Sequence, residues 1–176
     1  AIPGIRQLSL AGDPPASIGI SMTTMKFNDG KKDVETSVEI READTAFFNL
    51  YKMKLVAGRN LEQSDTSREY VINETYARFL GFTDPAKIVG QYINRGNASI
   101  PVVGVIADFN TKSLHTAIPV LAFTCQANRH NNFHIALPPK AGNTDSWRET
   151  IAKIETALNE VYPEDEFKYS FLDESI

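Results

Sequence analysis

The 176-residue chain holds one cysteine, Cys125, so it cannot close an internal disulfide. No segment approaches the roughly 18 to 20 consecutive apolar residues that a membrane helix requires. The sequence also lacks a G-x-x-x-x-G-K-[S/T] phosphate loop, a G-x-S-x-G nucleophile elbow and a G-x-G-x-x-G dinucleotide turn. Basic charge is in deficit: 18 Lys and Arg stand against 22 Asp and Glu, a net charge of -4. General nucleic-acid binding depends on clustered cations that displace counterions, and this balance disfavours it. Anionic membrane surfaces are disfavoured for the same reason. A single cysteine leaves the redox compartment open.

What remains is ordinary globular material, 42% hydrophobic and 23% charged. A chain of this length buries about 70% of its unfolded surface, enough for a core without metals or disulfides. It suits one domain or two small subdomains. Cys125 follows the apolar run from Val120 to Thr124 and reads as a buried thiol; no histidine and third orienting group stand beside it to make a nucleophile. His130 and His134 are four apart, but Asn131-Asn132 separate them and the downstream pattern is strand-like, so both read as surface histidines. Zinc needs three or four ligands, and no Cys or acidic partner completes a set. His115 reads as a loop residue. Asp108 ends an apolar strand in the manner of a magnesium-binding strand of an NTPase. Without a phosphate loop it reads instead as a cap for the turn that follows it. No catalytic residue, cofactor or metal ligand is assigned.

Taken in order, Ile5 to Leu10 reads as a short strand after a Pro3-Gly4 turn. Ile18, Ile20 and Met22 alternate, then the apolar phase slips to Met25 and Phe27, which predicts a bulge near Thr23-Thr24. Asn28-Asp29-Gly30 supplies hairpin chemistry. The returning strand sets Val34, Thr36, Val38 and Ile40 against a solvated face of Glu35, Ser37 and Glu39. Asp44 is placed to cap a helix carrying Phe47, Leu50 and Tyr51 at helical spacing. Phe47 and Phe48 cannot both face one core from such a helix, so one is expected to meet another subdomain or a partner. The segment from Glu62 to Glu69 reads as a solvated loop.

Tyr70 to Ile72 forms a short strand, and Asn73 caps a helix that buries Tyr76, Ala77 and Leu80 and stops at Gly81. Ile100 to Ile106 is nearly continuous and apolar, a strand inside a sheet covered on both faces. Strands follow at Val120 to Cys125 and at Phe133 to Leu137. Ser146 and Glu149 have capping-box spacing at the head of the longest helix. Its stripe runs Trp147, Ile151, Ile154, Leu158, Val161, and Pro163 ends it. Phe167, Tyr169 and Phe171 alternate as a final strand.

The ordered set DTAFFNLYKMKLVAGRNL (44–61), YVINETYARFLGF (70–82), VGQYI (89–93) and IPVVGVIADFN (100–110) resembles the MacB-like periplasmic core domain. That family is the extracytoplasmic part of FtsX-type ABC transporter permeases. Ile2-Pro3-Gly4-Ile5 and Phe171-Leu172-Asp173 extend the resemblance towards both ends. It implies an α+β fold in which residues 1–43 and 116–176 form a porter-like βαβ-type subdomain and 44–115 an inserted smaller α/β subdomain. It also implies a non-enzymatic role at the periplasmic face of a bacterial inner membrane, passing ATP-driven motion of membrane helices to substrate or adaptor. The implied partners are the protein's own transmembrane helices, expected shortly before Ala1 and after Ile176, a second permease copy, a cytoplasmic ATPase acting indirectly, and a periplasmic adaptor protein. The alternative is a soluble extracytoplasmic module that binds or senses a small ligand, with a closed pocket of roughly 300 to 1,000 Å³.

Overall fold

Strand β2 (Ser21–Asn28) and strand β3 (Asp33–Glu42) form a hairpin that starts the main sheet. Its turn is held by the Asp29 carboxylate, which accepts from the amides of Lys31 and Lys32 at 2.8 Å each. Gly30 supplies the positive φ of 86° that the turn requires. The structure is a computed structural model and describes residues 2–15, 17, 21–110, 117–139 and 145–172. From the hairpin, β3 lies parallel to β8 (Leu121–Thr124), which is antiparallel to β5 (Tyr70–Asn73). β5 in turn is parallel to β7 (Ala98–Ile106). The first half of β7 pairs with β6 (Tyr92–Arg95), and β6 meets β2 at Asn94 and Lys26, closing a small six-stranded barrel. β4 (Leu55–Gly58) extends the second half of β7.

Met25, Val38, Tyr70, Ile72, Ile93 and Val102 fill the barrel interior. The register of β7 against β5 shifts between the Tyr70–Val102 and Val71–Gly104 pairs. The shift turns Val105 inward with Val102 and leaves Ile106 in the outer cluster, so an apolar run is buried on both sides. β4 crosses β7 closely. A Cβ on Gly104 would collide with the Arg59 carbonyl, and one on Gly58 with the Val103 carbonyl. No bulge interrupts β2, whose pairing with β3 is continuous. The apolar slip in the sequence is Met22, which points outward and is 53% exposed. Ile18 and Ile20 lie outside the described residues.

A second, smaller unit comes from both ends of the chain. β1 (Gln7–Ala11) pairs antiparallel with β9 (Asn132–Ala136), and helix α3 (Asp145–Val161) stands beside them. Between this sheet and the barrel wall lies α1 (Phe47–Leu50), a single turn. Phe47 and Phe48 are both buried there, and the expectation that one of them meets another unit holds for Phe47, which reaches His134 of the small sheet. A one-turn helix sandwiched between two sheets has apolar surroundings on both sides, so adjacent rings can diverge. Phe47 meets Tyr51, Phe123 and His134, while Phe48 packs edge-on to Phe123. The barrel ladders run across positions 43/44 and 115/116. β2 and β3 precede the first position, β4 to β7 lie between the two, and β8 follows the second.

Other expectations fail locally. Glu39 is 2% exposed and pairs with buried Arg41, whose Nη1 donates to the Pro14 carbonyl at 2.7 Å. The residues after β1 therefore cover one end of the face that was expected to be solvated, while Glu35 and Ser37 are exposed as expected. Glu69 is likewise buried, and the Arg59 guanidinium grips it in a bidentate pair. Ser146 lies within the first turn of α3, where its carbonyl accepts from Thr150 Oγ1 at 2.9 Å, and the residues just before Asp145 lie outside the described residues. Val161, at 65% exposure, falls outside the apolar stripe of α3. Residues 167–171 join no ladder among the described residues. Their rings pack on one another and on Trp147, with Phe171 stacked on the indole at 5.7 Å.

Candidate functional site

The two-stranded sheet has two unlike faces. Ser9, Ala11 and His134 turn towards α1 and are buried, whereas Leu10 and Phe133 turn the other way and are 36% and 47% exposed. On that open side a groove of about 950 Å³ runs between the sheet, α3 and the aromatic segment 167–172. Leu10, Phe133, Ile135, Trp147, Ile154 and Phe171 are among its walls. Trp147 is held in place by its indole N–H, which donates to the Pro138 carbonyl at 2.9 Å. The groove offers apolar and aromatic area, with His130, Asp165, Glu166 and Lys168 among its polar walls.

Polar side chains lock the sheet to α1. Asp44 accepts from Ser9 Oγ at 2.6 Å, from the Leu10 amide at 2.8 Å and from the Ala46 amide at 3.0 Å. The residue expected as a helix cap thus does cap the turn that leads into α1, and it also bridges to a strand 34 positions earlier. His134 is no surface residue: at 8% exposure it sits between the Tyr51 hydroxyl, 2.7 Å from Nδ1, and the Gly12 carbonyl, 2.8 Å from Nε2. A carbonyl can only accept, so Nε2 carries the proton and Tyr51 donates to Nδ1. Burial lowers the pKa of His134 and pushes that of Tyr51 up to about 12, so both stay neutral. Both ring nitrogens of His134 are occupied, which leaves none for a metal. His130 lies half-buried four residues earlier, and among the described residues no group of three or more His, Cys, Asp or Glu could hold a metal ion. Cys125 is buried as expected, and burial raises the pKa of its thiol.

Asp108 caps the start of a helix 33 residues earlier, whereas the turn it was expected to cap runs into residues 111–116, outside the described residues. Helix α2 (Glu74–Phe79) begins at Asn73, whose Oδ1 accepts from the Tyr76 amide at 3.1 Å, as the sequence indicated. The Asp108 carboxylate accepts from the Thr75 amide and hydroxyl at 2.9 Å each and pairs with Arg78. Two side chains thus satisfy successive amides at one helix start. Asp108 reaches α2 because β5 and β7 are adjacent and parallel, a pairing that a reading of local spacing does not contain.

A model of the MacB-like periplasmic core domain matches residues 8–156, covering the barrel, the small sheet and most of α3. The chain belongs to this family. As a MacB-like periplasmic core domain it is an extracytoplasmic domain of an ABC transporter permease. Solved structures bear out the fold. The extracellular domain of the noncanonic ABC-type transporter YknZ from Gram-positive bacteria aligns with a TM-score of 0.64 at 14% identity, over 94% of this chain and 81% of that one. The periplasmic region of MacB from Actinobacillus actinomycetemcomitans gives 0.58 at 10% identity, over 94% of this chain and 79% of the other. No curated protein matches the chain. Among the described residues of this MacB-like domain, no helix is long and apolar enough to cross a membrane.

Proposed function

We propose that this domain is a moving part on the periplasmic face of a bacterial inner membrane, with no chemistry of its own. It carries ATP-driven motion of the permease's membrane helices to a substrate or an adaptor protein. The family match over residues 8–156 carries the reading. It is supported by the way both ends of the described chain gather on one small unit. Gly4 packs against Thr150 of α3, and Phe171 stacks on Trp147 near the start of the same helix. A unit gripped at both ends takes up displacement of membrane helices, and the barrel is carried with it through α1 and the Asp44 bridge. The partners are the domain's own membrane helices, a second permease copy against which it moves, the cytoplasmic ATPase at one remove, and a periplasmic adaptor. The open groove offers an apolar contact surface and does not enclose a small ligand.

The test replaces residues 2–172 of the full permease with a flexible linker and follows transport beside ATP hydrolysis in membranes. The expected result is hydrolysis that continues while substrate movement is lost. Transport at the unaltered rate would overturn the proposal.

A further inference from the structure

Among the described residues, three buried oxygens at one end of the barrel have no hydrogen-bond partner: Glu42 Oε2, Thr124 Oγ1 and Tyr70 OH. Their positions are in register. Glu42 is the Cα partner of Thr124 across β3 and β8. Tyr70 stands opposite Thr124 by one more step of the β5–β8 register, in which Val71 faces Phe123 and Ile72 faces Ala122. Residues two apart share a strand face, and Ile40, Ala122 and Ile72 all belong to the interior cluster. The three oxygens therefore form one row across three adjacent strands, at the mouth of the barrel. Thr124 and Tyr70 are fully buried. Buried unpartnered oxygens are rare because each costs about 1 to 3 kcal/mol of lost hydration.

Glu42 also lines a cavity of about 360 Å³ that opens on Gly12, Ser21, Asn128 and Arg129. This is the junction of the two units. The Gly12 amide, just past β1, donates to the Glu42 carbonyl at 3.1 Å. Arg129 lies in the short 3-10 turn Ala127–Arg129, between β8 of the barrel and β9 of the small sheet. The charged and titratable groups around Glu42 among the described residues are Arg129 from that turn, Arg95 from β6, Tyr70 from β5 and Cys125 after β8, with Arg41 of β3 and Asp13 also lining the cavity. Arg129 and Arg95 both attract the carboxylate, yet neither bonds its Oε2.

We infer that Glu42 is a proton-operated latch between the barrel and the small sheet. With a proton from solvent, its carboxyl group turns inward and donates to Thr124 Oγ1 or Tyr70 OH, closing the row. When the proton returns to solvent, the carboxylate turns outward to Arg129 and draws on the turn that leads into β9. Burial already pushes the Glu42 carboxyl up to about 6, a range in which both states are populated near neutral pH. The view of the domain as a moving part gives the latch its use, but the latch can be tested on the domain by itself.

The experiment records the Glu42 side-chain carboxyl carbon shift and the β1 and β9 amide shifts by NMR from pH 4.5 to 8. It compares the wild-type domain with Glu42→Gln and Arg129→Gln. Glu42 is expected to titrate near 6, with the β1 and β9 amides following the same midpoint. Glu42→Gln should remove that joint transition, leaving only changes that track the imidazole signals of His130 and His134. Arg129→Gln, a change at an exposed residue that leaves the fold intact, should raise the midpoint. The inference is overturned if Glu42 titrates near the ordinary 4.5, if the amide transition survives Glu42→Gln, or if Arg129→Gln leaves the midpoint unmoved. Such a failure would leave the excision test of the transport role untouched.

Discussion

Replacing Asp44 by alanine tests whether the small sheet is held to the barrel side of the molecule by one carboxylate. Three donors lose their acceptor: Ser9 Oγ, the Leu10 amide and the Ala46 amide. They do not lose equally. The Leu10 amide is exposed and can turn to water. Ser9 is fully buried, and its hydroxyl is left unpartnered, at a cost of about 1 to 3 kcal/mol. Adding a half-buried charge-assisted bond at Ala46 gives a total near 3 kcal/mol. For a chain of this size that corresponds to a fall of about 6 to 12 °C in Tm. Urea unfolding, followed by the fluorescence of the single tryptophan, Trp147, measures the loss. Ser9→Ala should cost much less in the Asp44→Ala background than alone, because the orphaned hydroxyl is then removed, with a coupling of about 1 to 2 kcal/mol. A loss under about 0.5 kcal/mol, or strict additivity, would refute the bridge.

Gly104→Ala should destabilise by about 2 kcal/mol or more, since its Cβ would meet the Arg59 backbone carbonyl and the two strands would have to part; an unchanged urea midpoint would contradict this. Asp108→Ala should cost about 1 to 2 kcal/mol and speed amide exchange at Thr75 in the first turn of α2, while Tyr76, capped by Asn73, stays protected. His134 has a pKa lowered by burial, so below about 6.5 the unfolded chain binds more protons at this site than the folded one. Stability contributed by neutral His134 is therefore complete above that pH and falls as pH drops towards the folded value. A His134→Gln variant should lack this acid-side loss in pH-dependent unfolding, and an identical pH profile would count against it.

Most elements were legible because their signals are local. Asn73 and Gly81 bracket α2 with a cap at one end and a positive φ of 90° at the other. The β2–β3 turn follows from Asn28-Asp29-Gly30, and Cys125 is buried as its apolar run suggested. What local reading missed lies in long-range pairing. Asp108 meets Thr75 from 33 residues away, and Asp44 meets Ser9 from 35. His134 looked exposed because its neighbours Asn131 and Asn132 are polar, yet the alternation of β9 turns it onto Phe47 and Tyr51. A signal for Glu42 was present: it continues the inward alternation Val34, Thr36, Val38, Ile40, and so places a charge at an interior position. The aromatic alternation of 167–171 is strand-like, but among the described residues no ladder takes it up, and its rings find partners on α3 and on each other.

The moving-part role is tested most directly by the distance between spin labels placed at exposed Lys87 on the two barrels of a permease dimer. The assembly, with its ATPase, is held in lipid and carries Cys125→Ser to keep the labelling specific. The expected result is a distance distribution that shifts between the nucleotide-free and nucleotide-bound states. A distribution that stays fixed while ATP is being hydrolysed and substrate is being moved would contradict it.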